Sequence, residues 1–483
     1  MRIGILPIPG ELVFGNSRLL KKDEDGTCYI ETYVVGQGDM AEAEILELFE
    51  LHYSDLKLLA SSSSSSSKED VERLETIRAN IMESLGPRGP GLLSITGVPK
   101  ASNLRRNLLP LARKLALLNP DHRKRIFKDH NLGSDVPLKN PERNVSSFAM
   151  QLRYEQGGEL DNLKSSDQDL PDDEFKNLGN TFKELGFCMM ELGLCLAQIC
   201  DKAIGGQELE HSLLESCTGK GRLIHYHSIL DNIVLKEAGR KSGSSRRQAN
   251  RKNDLVDCIT GEKKQIEHTN VDVNSDGVGL FGTHSNLWQQ WHYDYGIFTV
   301  LTDPLFILSS CLLENTEKEQ YTLSCDKESP SPSGHTYLQI FDPSKNKVRM
   351  VKSSPESFII QVGESADILT KGKLRSTLHC VCRPAMSENL SRETFVMFLQ
   401  PAWSKTFSMS DYPTQNCNLD GRCSGVPDDK RNLAEQDGIR LTEEIRKIIP
   451  PLSLRLKDGM TFSDFSRETT KQYYGGGGLQ SNR

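Results

Sequence analysis

No apolar run in the chain approaches the roughly 18 residues that a membrane-spanning helix requires; the longest cluster, Pro304 to Leu313, is broken by serines. The N-terminus has one basic residue, Arg2, before an apolar patch interrupted by Pro7 and Pro9, which makes a poor secretion signal. The 12 cysteines form no CxxC pair. Zinc modules and a disulfide scaffold are therefore not expected, and the thiols read as reduced, in a cytoplasmic protein. Neither a phosphate-cradling GxxxxGK[ST] loop nor a GxSxG nucleophile elbow occurs. Positive charge is not in excess either: 59 Lys and Arg face 66 Asp and Glu, a net charge of −7. Bulk attraction to nucleic acid or to an anionic membrane is not expected from that balance.

What is present is a globular composition. Over 483 residues, 36% are apolar, enough length and apolar content for a sizeable core. Four regions are expected. Residues 1–85 read as an N-terminal extension, with an irregular 1–39 that is an appendage or lies upstream of an alternative start at Met40. In the same region a helix is expected over Ala41–Leu59, followed by a seven-serine tether, Ser61 to Ser67. Residues 86–217 read as a helical N-terminal region. A strand at Gly91–Pro99 opens it, a helix follows from Asn103 to Leu118, and a long amphipathic helix carries Phe175, Leu178, Phe182, Leu185, Cys188, Leu192 and Leu196 at steps of three and four.

Residues 218–403 change texture to short β-rich runs (Leu223–Tyr226, Phe298–Leu301, Tyr337–Phe341, Phe358–Val362, Thr394–Leu399), which argue for a β-sandwich or barrel. Polar insertions are expected near 236–270 and 314–334. The first includes a basic run at 240–252 that suits a solvated loop or a nuclear-import signal. Residues 404–483 read as a tail with a helix near Glu443–Ile449.

Gly277–Gly282 satisfies GxGxxG, but no strand–helix–strand unit surrounds it, so a dinucleotide fold is not expected. The segment Trp291-His292-Tyr293-Asp294-Tyr295 is more informative. On a strand, residues two apart face one side, so His292 and Asp294 can grip one ion. A second imidazole from another strand, with His379 leading, completes two histidines and a carboxylate, the open-sided set of non-haem Fe(II) oxygenases. Arg392 and Thr394 share a strand face by the same rule, and a guanidinium beside a hydroxyl is a receptor for a carboxylate. His225 and His227 form a rival metal pair that lacks a third ligand. Trp291, Tyr293 and Tyr295 alternate away from the ligands and read as packing, as does Trp288 in the core. Cys380 and Cys382 read as core thiols.

Taken together, Gly91–Pro99, Arg222–Tyr226, the HxD pair, Phe358–Val362 with Gly363–Leu369, Gly372–His379 and Arg392-Glu393-Thr394 resemble, in order, the isopenicillin N synthase-like Fe(II)- and 2-oxoglutarate-dependent dioxygenases of the soluble plant type. The resemblance spans about residues 86–403. It implies a mainly β protein with a helical N-terminal region and a double-stranded β-helix (jelly-roll) core. It further implies Fe(II) on His292, Asp294 and His379, and 2-oxoglutarate on Arg392, Thr394 and Tyr226, with ascorbate as a compatible reductant. The reaction implied is oxidation, in the first instance hydroxylation, of a small organic substrate with release of succinate and CO2. Ile224 stands where the family has an asparagine, and Thr394 where it has a serine. Two other readings stay open: an Fe(II) oxidase that does not use 2-oxoglutarate, and a non-catalytic interaction protein on the same fold.

Overall fold

A computed structural model describes residues 17–22, 28–33, 44–61, 67–138, 143–154, 173–242, 287–312, 322–342, 345, 347–384, 389–408 and 449–474. GxGxxG at 277–282, most of the basic run at 240–252 and nearly all of the helix expected near 443–449 lie outside these residues.

Eight strands build the core: β1 Thr218–Tyr226, β2 Leu287–His292, β3 Phe298–Thr302, β4 Leu338–Asp342, β5 Lys347–Lys352, β6 Phe358–Val362, β7 His379–Cys382 and β8 Leu390–Leu399. One sheet has the order β6-β3-β8-β1, and the other β5-β4-β7-β2. All of these pairings are antiparallel. The chain crosses between sheets at nearly every step, which is the path of a double-stranded β-helix, the jelly-roll fold expected from the sequence. Between the sheets lie Ile224, Leu301, Leu338, Ile340, Val351, Ile359, Val381 and Val396, alternate residues of strands from both. The reverse face of the first sheet buries Leu223, Phe298, Val300, Ile360, Phe395 and Met397 against helices.

Those helices are largely where the apolar periodicity puts them. The long helix runs over Leu178–Ile204, closed by Gly205 at φ +79°, and Phe182 meets Phe395 edge-on with centroids 4.7 Å apart. Residues Asp173–Phe175 form a separate 3₁₀ turn before it. The helix expected from Asn103 to Leu118 is two, Ala101–Leu108 and Pro110–Leu117, because Pro110 suits a first helical position and not an interior one.

Four expectations are corrected. Residues 41–59 are not one helix: Glu44–Glu47 pairs with β5, Glu50–His52 pairs with Leu92–Thr96, and only Tyr53–Ala60 is helical. Two open sheet edges offer that backbone hydrogen bonds which outweigh its helical spacing. Within the segment read as irregular, Ser17–Lys22 and Cys28–Tyr33 pair as antiparallel strands. Within the polar segment 314–334, Thr322–Ser329 is a strand on Leu305–Leu312, which in turn extends the start of β8. Lys327, Glu328 and Ser329 are all exposed or nearly so, and an edge strand wet on both faces shows no alternation. Finally, the C-terminal segment is a packed element: Leu456, Phe462 and Phe465 bury against Ile368 and Phe407.

Candidate metal and co-substrate site

His292 ends β2 and His379 begins β7, and the register sets them directly opposite one another. Their rings lie 4.2 Å apart, centroid to centroid. Asp294 is not on the strand, contrary to the shared-face expectation; it sits in the turn before β3. There its backbone carbonyl accepts from Glu364 N at 2.8 Å, and Thr299 Oγ1 donates to its Oδ2 at 2.7 Å. The turn nonetheless delivers the carboxylate: His292 Nε2 is 3.9 Å from Asp294 Oδ1 and His379 Nε2 is 3.8 Å from Oδ2. One ligand atom from each residue lies within 4.8 Å of the others.

Both imidazoles are held in the tautomer a metal requires. His292 Nδ1 donates to the Gln290 carbonyl at 2.8 Å and His379 Nδ1 to the Thr377 carbonyl at 3.0 Å, leaving each Nε2 as a lone pair facing the carboxylate. Burial and the adjacent His379 push His292 down to about 4, so it is a neutral ligand at pH 7. Two imidazoles and one carboxylate on one side of a point fit an open-sided Fe(II) site.

Arg392 and Thr394 face the interior from β8, both almost fully buried. Arg392 lies opposite Tyr226 of β1 in register, and its guanidinium stacks 5.1 Å above that ring. Its Nε donates to the Thr336 carbonyl at 3.0 Å, so the fork beyond Nε is the part a carboxylate can take. Thr394 Oγ1 lies 3.3 Å from Thr302 Oγ1. Ile224, opposite Thr394, is buried between the sheets, where an asparagine would supply polar contacts.

A residue the sequence did not single out joins the two groups. Tyr226 Oη donates to Gln289 Oε1 at 2.9 Å, and Gln289 Nε2 lies 2.9 Å from His292 Nε2. Three positions apart, Gln289 and His292 turn inward together because the register shifts between β7 and β2. Strict alternation in the sequence contains no signal for such a bulge. The neighbouring aromatics pack: Trp291 with Phe341 and Cys380, Tyr295 with Phe462, and Trp288 between the sheets with its indole N–H on the His227 carbonyl at 2.8 Å.

No protein-family model matches the chain, and no curated protein is significantly similar to it in sequence. Among solved structures it is similar to a full-length Neurospora crassa protein in complex with alpha-KG, at 12% identity and a TM-score of 0.43, covering 88% of this chain and 99% of that one. It is similar also to the dioxygenase for auxin oxidation in rice (15% identity, TM-score 0.41, 86% and 98% covered). A third is JOX2 in complex with 2OG, Fe and JA (12% identity, TM-score 0.41, 78% and 82% covered).

Proposed function

We propose that the chain is a non-haem Fe(II)- and 2-oxoglutarate-dependent oxygenase that oxidises a small organic molecule, in the first instance by hydroxylation. The observation that carries this reading is the convergence of His292, Asp294 and His379 within 4.8 Å inside a jelly roll, connected through Gln289 and Tyr226 to the buried Arg392.

In this reading, His292, Asp294 and His379 hold the ion from one side. Fe(II) bound there with 2-oxoglutarate would supply oxygen activation, the chemistry that couples oxidative loss of CO2 from the co-substrate, giving succinate, to oxidation of the substrate. Arg392 takes the far carboxylate of the co-substrate through its fork, and the Thr394 hydroxyl donates to the same group. Tyr226 supports Arg392 by stacking and fixes Gln289 beside His292. Burial keeps water from these charges and so strengthens each interaction.

A second reading, an Fe(II) oxidase without 2-oxoglutarate, is favoured by one observation, the apolar Ile224 opposite Thr394. No described helix is long and apolar enough to cross a membrane, and we place the protein in the cytoplasm, with the basic run at 240–252 as a route to the nucleus.

Anaerobic visible absorption of the Fe(II)-loaded chain, before and after 2-oxoglutarate, tests the choice beside His379→Ala and Arg392→Ala. A charge-transfer band that needs both residues supports the oxygenase. Iron without the band supports the oxidase. A folded chain that binds neither refutes both.

A further inference from the structure

His225, on the face of β1 turned away from the candidate iron site, and His227, just past the end of that strand, are fully buried, with ring centroids 4.3 Å apart. Each has one nitrogen already held. His225 Nδ1 lies 2.9 Å from both carboxylate oxygens of Glu393, and His227 Nε2 lies 2.8 Å from Ser146 Oγ. The other nitrogens, His225 Nε2 and His227 Nδ1, are buried and make no hydrogen bond. Buried nitrogens are rarely left unmet, so a pair of them side by side needs an explanation.

Asp231 beside them is itself fully buried, and one ligand atom from each of the three residues lies within 4.8 Å of the others. Local sequence fixes that carboxylate: Ser228 Oγ accepts from Asp231 N at 3.0 Å, while Asp231 Oδ2 accepts from Ser228 N at 2.8 Å, a reciprocal cap at the start of the helix Ile229–Ser242. Asp231 Oδ1 accepts from Arg113 Nε at 3.0 Å and Nη2 at 2.7 Å. His225 Nε2 lies 3.4 Å from Asp231 Oδ2. That is long for a hydrogen bond. It is close to the edge, about 3.3 Å, of a tetrahedron whose ligands stand about 2.0 Å from a zinc ion.

We propose that His225 Nε2, His227 Nδ1 and Asp231 bind a second divalent metal ion, of the zinc class, which braces the strand carrying Tyr226 against the start of the helix Ile229–Ser242. Glu393 on His225 and Ser146 on His227 are the outer partners that orient imidazole ligands. Two imidazoles and one carboxylate suit zinc, and three protein ligands leave one tetrahedral position for water. Complete burial makes the ion structural.

A proton on His225 is the competing way to satisfy this pocket. Burial opposes that proton, yet Glu393 and Asp231 together push His225 up to about 9. The proton would meet His225 Nε2 but leave His227 Nδ1 unmet; a metal meets both. Sequence alone offered the His-x-His pair without a third ligand, because Asp231 approaches only after the chain has turned from strand into helix.

The test uses the full chain without a histidine tag, carrying His292→Ala and His379→Ala so that the first centre is gone and the outcome is independent of the oxygenase reading. After incubation with zinc and gel filtration, mass spectrometry of the metal content should count about one zinc per chain. Adding His227→Ala should lower that count at least about tenfold with the circular dichroism unchanged. If that variant does not fold, zinc X-ray absorption of the His292→Ala/His379→Ala protein decides, with two imidazoles in the first shell expected. A chain that retains no zinc, a folded His227→Ala variant that keeps all of it, or a first shell containing sulfur would overturn the site.

Discussion

Gln289 Nε2 lies 2.9 Å from His292 Nε2, the nitrogen that a metal ion would take in the proposed site. An amide donating to that lone pair confirms the orientation set by the Gln290 carbonyl on Nδ1, and it competes with the ion. Gln289→Ala removes the competitor. Because a neutral hydrogen bond is worth about 1 kcal/mol, affinity for Mn(II) or Co(II) should rise by up to about fivefold. Calorimetric titration measures it, and weaker binding would show that Gln289 assists the metal.

In the proposed co-substrate site, Arg392 would act through its planar fork, not through charge alone. Arg392→Lys keeps the cation but loses both the bidentate geometry and the stack on Tyr226. The Kd for 2-oxoglutarate should rise by about tenfold or more, with metal content unchanged. An unaltered Kd, read by the absorption titration, would remove Arg392 from the co-substrate site.

Gly91 connects the N-terminal region to the candidate metal site. Its φ is +78°, and its carbonyl accepts from Thr377 Oγ1 at 2.7 Å. The Thr377 carbonyl in turn holds His379. A Cβ at Gly91 would stand 2.6 Å from both Arg375 O and Thr377 Oγ1. Gly91→Ala should therefore cost about 2–4 kcal/mol, through strain and displaced backbone together. A denaturant midpoint close to that of the parent would contradict this.

Arg455 and Glu364 form a buried forked ion pair, with Nη1 donating to Oε2 at 2.8 Å and Nη2 bonding Oε1. Arg455→Met strands the carboxylate and should destabilise by about 3–5 kcal/mol; Arg455→Met with Glu364→Leu should recover most of the loss. A double-mutant cycle in urea reads the coupling, and equal losses in the single and double variants would deny it.

Thiol chemistry follows burial. Burial, with Glu191 and Glu184 adding to it, pushes Cys188 up to about 11, and burial pushes Cys382 up to about 12. Reactivity belongs to the thiolate, so at pH 8 only about one Cys188 in a thousand is reactive, rising about tenfold per pH unit. Peptide mass spectrometry after iodoacetamide at pH 8 should find these two sites nearly unmodified; rapid labelling at pH 8 would show that the thiols are not shielded.

Short-range pattern decided much of this protein. The long helix over Leu178–Ile204, the break at Pro110 and most core strands follow from spacing and turn residues, because a helical or pleated backbone repeats locally. The pairing of Arg392 with Thr394 was legible for the same reason, since a regular strand maps sequence parity onto a face. Tertiary structure decided whatever depends on a partner far along the chain. The strands at 44–47 and 50–52 exist because sheet edges accept them, overriding helical spacing. Asp294 reaches the histidines from a turn tied to Glu364, and Gln289 joins them through a register shift. Asp231 meets His225 and His227 only where a strand end, a helix start and Arg113 come together. A sequence encodes the periodicity of an element; the direction in which an irregular residue points is settled by the hydrogen bonds its backbone finds after folding.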